Sequence, residues 1–532
     1  MKKINLKTSH TSFSIIFAAS LYVISNSVNI DKISKWFLSG GSINYIAFGA
    51  YLIIGFAVFI TFFLLLAHKW TTKPVAIFIV ILSGAATYFI AKYNVAIDRS
   101  MIMNTLNTDI TESTSLLSVQ MLPYLFFLII LPVLVILKVE ITYKKPLRHL
   151  FSSLKVIVVS LVIAISLSYL NFKSISQAVN ISNKYAVHTL VPVNVIRSSL
   201  SALSKSLEPY FKQMKKKIEV TASIKSEEDL VVVLAVGEST RQKSVSLYGY
   251  DRKNTTPMLS QQKDLHILNG IATAGSTLYA LPKILEKNDI KLAAVTSKVG
   301  IDTACYVNFS LYGNCDPVEE IKVNNCGHDG DCYDEDLLPL LENNLASYQS
   351  GYRFVVLHMG GGSHGPRYND RFPPEFNIFQ PTCDDADVIN QCSVEELYNS
   401  FDNTVLYLDF VLSSIIDELE DSKVPYVLIY LSDHGESLLE EGRIFHGMPP
   451  GVALPPEQAQ IPLLVKSSVP IEVLKRKEYS QPDVFDTILS LFSIESEQFS
   501  ENNSFIKKLA RAKQDTSSEI EAVSASEMTA DK

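Results

Sequence analysis

No cysteine precedes Cys305 in this 532-residue chain, and none of its six cysteines stands in a CxxC motif. The missing motif argues against a structural zinc cluster. The cysteines fall instead into three closely spaced pairs, which predict three local disulfides: Cys305–Cys315, Cys326–Cys332 and Cys383–Cys392. Because disulfides persist outside the cytoplasm, we expect this part of the chain to face an oxidising compartment.

The chain also lacks an excess of basic charge. Its formal net charge is -8, which excludes a broad basic surface for nucleic acid. Charge is scarcest in five apolar stretches near the N-terminus: 11–27, 45–67, 75–92, 119–137 and 155–171. Each approaches the ~20 residues that a helix needs to cross a bilayer. No small-residue cleavage site follows the first stretch, so we interpret it as a retained helix and not as a signal peptide.

Basic residues are unevenly distributed among the loops between these stretches. One set of loops holds most of them: Lys2, Lys3, Lys7, Lys69, Lys73, Lys138, Lys144, Lys145, Arg148 and Lys155. The other set holds Lys32, Lys35 and Arg99. Since basic loops stay on the cytoplasmic side, the N-terminus is predicted to be cytoplasmic. Five spans then place everything after about residue 172 outside, on the side that the cysteines indicate.

The composition divides the chain into four predicted segments. They are a five-helix transmembrane domain (1–172), an amphipathic linker (173–226), a catalytic domain (227–500) and a disordered Ser/Glu/Ala-rich tail (501–532). Short apolar runs within 227–500 suit strands buried on both faces of a sheet: 230–236, 354–359, 426–431 and 461–465. Helical stretches lie between them. We therefore predict an α/β sandwich with a central, mostly parallel sheet.

Three of these predicted strands end in polar sequences. Glu238 follows the first, His364 follows the second, and Asp433 and His434 follow the third. Ligands in open α/β sheets bind beyond the carboxyl ends of the strands. One such residue alone is more often part of a capped turn. Together, carboxylates and imidazoles at one edge predict a zinc site.

Chemistry at such a metal site can also use a nucleophile, and the best candidate stands in the sequence Gly275-Ser276-Thr277 at the start of an apparent helix. Backbone N–H groups at a helix N-terminus stabilise negative charge beside a hydroxyl. Ser and Thr are also the commonest helix caps, so the position alone does not decide the role. The residues leave Thr277, Ser276 and Thr273 as alternatives.

A polar stripe lies in one outside-facing loop, where Asn104, Thr108 and Glu112 recur every four residues. On a helix they would share one face. The residues allow two interpretations: a solvated interfacial helix, or a contact with a polar lipid headgroup at the membrane surface.

The order of these motifs resembles the lipid A phosphoethanolamine transferases of the Gram-negative inner membrane, including those linked to polymyxin resistance. This family belongs to the alkaline phosphatase/sulfatase superfamily. The resemblance rests on the membrane spans, GESTR, a threonine five residues before Pro282, SHGP, SDHGES and HGMP. It implies that Glu238, Thr277, Asp433 and His434 bind zinc and that Thr277 is the nucleophile. It also implies that His364 and His446 contact the substrate phosphate or a second zinc, and that the polar stripe binds the headgroup.

The implied reaction is ping-pong transfer of phosphoethanolamine from phosphatidylethanolamine, through a threonine-bound intermediate, to lipid A, core sugar or another envelope glycan. A monomeric, periplasm-facing enzyme is expected. The chain departs from close relatives at Thr273 and Lys283, where they carry cysteines. Lys298 is a poor match for their substrate-contacting lysine. Phosphoglycerol transfer, a sulfatase or phosphodiesterase activity, and a non-catalytic binding role remain the alternatives.

Overall fold

The computed structural model describes residues 7–27, 30–39, 42–93, 95, 97–107, 119, 121–181, 188, 190–212, 220–225, 228–323, 332–360, 365–385, 388–448 and 452–509. Within these residues, four helices are long and apolar enough to cross a membrane: Tyr45–Leu66, Thr72–Tyr93, Met121–Lys138 and Pro146–Leu170. The first predicted span forms the helix His10–Ser27, which packs on Tyr45–Leu66 and Thr72–Tyr93 but is not one of the four. That it crosses the membrane stays a prediction.

The apolar helices differ in how much of their surface the protein covers. About half of Thr72–Tyr93 is buried, whereas only 6% of Met121–Lys138 and 11% of Pro146–Leu170 are buried. Large apolar side chains on the latter two, such as Phe127 and Ile165, stay exposed. Exposure of so large an apolar surface to water would be unfavourable, whereas lipid chains can cover it in a membrane.

The predicted linker packs back onto the membrane helices. Its helices are Phe172–Ile181 and Val193–Lys212, and the latter contacts the short helix Arg99–Asn107. The Nδ2 of Asn26 donates to the carbonyl of Val191 at 2.6 Å, and the Oδ1 of Asn26 accepts from the Val191 N–H at 3.0 Å. These paired bonds fix the start of the linker helix against the first helix of the chain.

The region that follows the linker is built on an eight-stranded sheet. Its strands lie in the spatial order Glu320–Lys322, Asp302–Val307, Tyr352–His358, Leu230–Gly237, Tyr426–Ser432, Gln460–Ser467, His266–Ile271 and Tyr479–Ser480. Every pairing is parallel except the two made by Gln460–Ser467. The predicted mostly parallel α/β fold is therefore confirmed.

Helices cover both faces of this sheet because its central strands are apolar on both sides. The side chains of Val231 and Val233 pack against the helices Leu338–Ala346 and Val394–Asp421. The intervening Val232 and Leu234 belong to a second core. The helices of that second core are Thr277–Leu285, Leu292–Lys298 and Gln481–Leu491. Because successive side chains of a strand point to opposite faces of the sheet, one apolar run contributes residues to both cores.

Short paired strands complete the domain. They are Ala222–Ile224 with Ile494–Ser496, Ile471–Val473 with Ile506–Lys508, Ser437–Leu438 with Ile444–Phe445, and Glu286–Lys287 with Ile290–Lys291. Phe505 is fully buried beside this second pair. The packed domain therefore extends past the predicted boundary at residue 500. Residues 510–532 lie outside the described part of the chain.

Two of the predicted disulfides are formed. Cys305 is bonded to Cys315 with a Cα–Cα distance of 6.6 Å, and Cys383 to Cys392 with 5.6 Å. Cys326, the predicted partner of Cys332, lies outside the described residues.

Candidate active site

The site begins at the ends of two adjacent strands. Leu230–Gly237 and Tyr426–Ser432 run parallel, with Gly237 opposite Ser432. Glu238 and Asp433 therefore emerge side by side, and the Asp433 N–H donates to the carbonyl of Gly237 at 2.9 Å. Gly237 itself allows this close packing, because a Cβ there would lie 2.6 Å from the hydroxyl of Tyr430.

Glu238, Asp433 and His434 form a cluster whose ligand atoms all lie within 4.8 Å of one another. The Nε2 of His434 lies 3.4 Å from Glu238 Oε1 and 3.3 Å from Asp433 Oδ2. All three residues are buried. Within the described residues, Asp433 Oδ2 and His434 Nε2 have no hydrogen-bond partner. Since buried polar atoms without partners are costly, the donor set fits a bound divalent cation.

The pKa values in this cluster are strongly perturbed. Burial raises the pKa of Asp433 to about 7, and the negative charge of Glu238 adds to the rise. Burial lowers the pKa of His434, but the charges of Asp433 and Glu238 outweigh burial and raise it. Protons therefore occupy this cluster near neutral pH. A divalent cation would displace them and hold the carboxylates ionised.

Thr277 is the hydroxyl that reaches this cluster. Its Oγ1 donates a hydrogen bond to Glu238 Oε2 at 2.8 Å. It is the first residue of the helix Thr277–Leu285, and Ser276 is the N-cap. Thr273 contacts a different residue: its N–H and its hydroxyl both donate to Gln481 Oε1. The geometry therefore favours Thr277 over the alternatives that the residues left open.

His446 lies over the cluster, with its ring centre 4.3 Å from that of His434. Its Nδ1 lies 2.7 Å from Glu436 Oε2. Glu436 is fully buried, and its Oε1 also accepts from the hydroxyl of Tyr368 at 3.1 Å and from the N–H of Gly365 at 3.3 Å. One carboxylate thus fixes His446 and the loop after residue 364. Sequence reasoning missed Glu436, although it stands in the SDHGES motif itself.

A backbone hydrogen bond joins the loop of His446 to the loop that precedes Thr277. The N–H of Gly447 donates to the carbonyl of Gly275 at 2.8 Å. The approach is close, since a Cβ on Gly275 would lie 2.8 Å from Leu454 Cδ2 and 3.2 Å from the Met448 nitrogen. The two loops that carry the hydroxyl and the imidazole are therefore in direct contact.

His358 is a second residue that sequence reasoning missed. It ends the strand beside Leu230–Gly237, is fully buried, and its Nδ1 hydrogen-bonds to the carbonyl of Phe309. Its Nε2 has no hydrogen-bond partner among the described residues. Burial lowers the pKa of His358, so the ring is neutral at physiological pH. In the sequence, the signal that could have identified His358 was its position near the end of the apolar run 354–359.

The open side of the site faces the ends of the membrane helices. Tyr93, the last residue of the apolar helix Thr72–Tyr93, places its ring centre 5.6 Å from that of Phe445. Arg99 Nε donates to the hydroxyl of Tyr279 at 3.0 Å. Phe445 directly precedes His446 in the chain, and Tyr279 lies two residues after Thr277. The residues at the ends of the membrane helices therefore contact the loop of His446 and the helix of Thr277.

The structure does not describe every predicted site residue. His364, Thr108 and Glu112 lie outside the described residues. Asn104 belongs to the helix Arg99–Asn107, but its side chain is outside the described part of the chain. The headgroup contact of the polar stripe and the role of His364 stay predictions.

The chain matches two family models, "Phosphoethanolamine transferase EptA/EptB" over residues 55–207 and "Sulfatase" over residues 288–494. Among curated proteins, it is 30% identical to Phosphoethanolamine transferase EptA of Escherichia coli K12 over 508 residues, covering 86% of this chain and 89% of that protein. It is 26% identical to Phosphatidylethanolamine transferase Mcr-1 of Escherichia coli, covering 92% of this chain and 96% of that protein.

Among solved structures, the chain is similar to the integral membrane lipooligosaccharide phosphoethanolamine transferase A (EptA) of Neisseria meningitidis. The TM-score is 0.81 with 25% identity, and the match covers 94% of this chain and 98% of that one. The likeness includes both the membrane helices and the sheet domain.

Proposed function

Because this chain belongs to the phosphoethanolamine transferase family, we propose that it transfers phosphoethanolamine from phosphatidylethanolamine to lipid A or a related envelope glycan. The donor and the acceptor follow from the resemblance, and the similar Neisseria protein is a lipooligosaccharide phosphoethanolamine transferase. The observation that carries the proposal is the 2.8 Å contact between Thr277 Oγ1 and Glu238 Oε2, at the edge of a buried cluster that fits a metal.

Thr277 is the proposed nucleophile. Its hydroxyl hydrogen is directed at Glu238 Oε2, which leaves the oxygen lone pairs free to face an incoming phosphorus. A zinc ion held by Glu238, Asp433 and His434 would lower the pKa of the hydroxyl and neutralise charge on the phosphoryl oxygens. The Thr277 oxygen forms a bond to phosphorus, the bond from phosphorus to the diacylglycerol oxygen breaks, and diacylglycerol leaves with a proton.

His446 is the proposed proton donor and acceptor. The contact of its Nδ1 with Glu436 fixes the orientation of the ring beside the cluster. In the first half-reaction, the proton of the Thr277 hydroxyl passes to its hydrogen-bond acceptor Glu238 Oε2, and His446 gives a proton to the departing diacylglycerol oxygen. In the second, His446 accepts the proton of the acceptor oxygen that attacks phosphorus, the bond to Thr277 breaks, and the Thr277 oxygen takes its proton back from Glu238. His364 is proposed to contact the same phosphate.

We propose an inner-membrane monomer with a cytoplasmic N-terminus and a periplasmic catalytic domain. Two observations support this orientation. Most loop lysines lie at one end of the membrane helices. At this end Lys7 and Glu140 form an ion pair at 3.3 Å. The disulfides Cys305–Cys315 and Cys383–Cys392 lie in the domain beyond the opposite end.

The test is a single turnover without acceptor. The full-length chain in phosphatidylethanolamine vesicles should release one diacylglycerol per protein and gain the mass of phosphoethanolamine on Thr277, located by peptide mass spectrometry. Thr277→Ala should give neither product while it keeps its bound metal and its melting temperature. The matched control Ser276→Ala should still form the adduct. An adduct on Ser276, or none on the wild-type chain, would contradict the assignment.

A further inference from the structure

Arg99 occupies the junction between the membrane surface and the nucleophile helix. It follows shortly after Tyr93, the last residue of an apolar span, and begins the helix Arg99–Asn107. Its Nε donates to the hydroxyl of Tyr279 at 3.0 Å, and its guanidinium carbon lies 5.6 Å from the centre of that ring. Tyr279 stands in the first turn of the helix that Thr277 begins. Arg99 therefore lies between the end of an apolar span and the helix that Thr277 begins.

Within the described part of the chain Arg99 forms no ion pair, and its hydrogen bond and its cation–π contact are both with Tyr279. The adjacent Asp98 is buried, and its Oδ1 accepts from the N–H of Met101 at 2.9 Å, which directs that oxygen into its own helix turn. Arg99 thus presents a positive charge without an ion-pair partner among the described residues, on a chain whose net charge is -8.

We propose that Arg99 binds a phosphate oxygen of the lipid substrate and holds that lipid beside Thr277. The guanidinium has five N–H donors, and Tyr279 uses the one on Nε. The four N–H groups on the terminal nitrogens form the planar fork that matches two phosphate oxygens. Because Tyr279 already orients the side chain, little rotamer freedom is lost when phosphate binds. The inference rests on the proposed function, since it requires that the reacting lipids carry phosphate.

The phosphate has two possible sources, the diester of the donor lipid and the phosphate groups of lipid A, and two assays separate them. Full-length protein in vesicles is assayed for its diacylglycerol burst at increasing phosphatidylethanolamine fraction. Protein already carrying the adduct is then assayed for transfer at increasing lipid A fraction. Both assays compare the wild-type chain with Arg99→Ala, Arg99→Lys and the matched control Tyr279→Phe.

We expect Arg99→Ala to raise the half-saturating lipid fraction about tenfold in at least one assay and to change the maximal rate by less than about threefold. The dependence of that fraction on salt should also weaken. Arg99→Lys, which keeps the charge but lacks the planar fork, should recover the salt dependence and only part of the affinity. Tyr279→Phe, which keeps the charge but loses the orienting hydroxyl, should shift the half-saturating fraction only about twofold to threefold.

Two results would overturn the inference. One is an unchanged half-saturating fraction for Arg99→Ala in both assays. The other is an equal fall in the maximal rates of Arg99→Ala and Tyr279→Phe without any change in half-saturation, which would make the contact a structural tie between the two regions. Both differ from failure of the proposed function, in which the wild-type chain itself forms no adduct.

Discussion

The two sides of the candidate site are built differently. On the sheet side, Glu238, Asp433 and His434 follow directly from strand ends and are buried. On the membrane side, His446 and Arg99 come from a loop and a short surface helix and stay partly exposed. The groups proposed to hold the metal thus come from buried strand ends. The groups proposed for proton transfer and substrate binding come from the side that faces the membrane helices.

This difference predicts different consequences of substitution. Changes on the sheet side should remove the metal and abolish the reaction, whereas changes on the membrane side should weaken substrate binding or slow proton transfer and leave the metal in place. The predictions below test that division, beginning with the largest effect.

Removal of one carboxylate on the sheet side should abolish metal binding. For Asp433→Ala, we expect zinc affinity to fall by more than about a hundredfold and transfer to become undetectable, because the remaining ligands cannot complete the site. Metal analysis and calorimetric zinc titration check this. The control is Asp409→Asn, another buried carboxylate, which accepts from the N–H groups of Met258 and Leu259. It should lose stability but keep its metal, and wild-type zinc content in Asp433→Ala would contradict the division.

Glu436→Gln should slow turnover about tenfold to a hundredfold and leave zinc content unchanged. The substitution keeps the shape of the side chain but removes the charge that holds His446, so the acidic limb of the kcat profile against pH should also move. The control, Glu441→Gln, changes an exposed glutamate nearby that pairs with Arg443. Its kinetics should match the wild type. A Glu436→Gln enzyme with wild-type kcat and pH profile would show that His446 needs no such partner.

The affinity for zinc should fall by at least about tenfold for each pH unit below about 7. Burial raises the pKa of Asp433 to about 7, so below that pH the metal-free site holds a proton that zinc must displace. Above about 7 the carboxylate is already ionised and this competition disappears. Zinc titrations between pH 5.5 and 8.5 measure the slope. An affinity that stays flat from pH 6 to 8 would contradict the assignment of Asp433 as a ligand.

The smallest effect is expected at the end of the membrane helix. Tyr93→Leu removes the ring contact with Phe445, and an aromatic pair contributes about 0.5–1.5 kcal/mol. We therefore expect the half-saturating lipid fraction to rise about threefold with little change in kcat. Trp70→Leu, which alters an exposed aromatic residue at the other end of the same helix, is the control. Equal effects of the two substitutions would remove the link between Tyr93 and the site.

The sequence predicted that Glu238 and Asp433 meet on the sheet side, but it did not predict the contact of Arg99 with Tyr279 on the membrane side, for a physical reason. Apolar runs that end in charged residues define strand ends, and parallel pairing then brings Glu238 and Asp433 together. The contact of Arg99 with Tyr279 joins residues 180 positions apart, and no local pattern encodes it. The choice of Thr277 over Ser276 likewise depended on which hydroxyl the helix start directs at Glu238, a matter of backbone direction and not of residue type.

The hydrogen bond between Gly447 and Gly275 has a consequence for how this site tolerates change. It is made by backbone atoms alone, so substitutions elsewhere on either loop leave its donor and acceptor intact. The spacing between the Thr277 hydroxyl and the His446 imidazole can then persist while the side chains around them are exchanged.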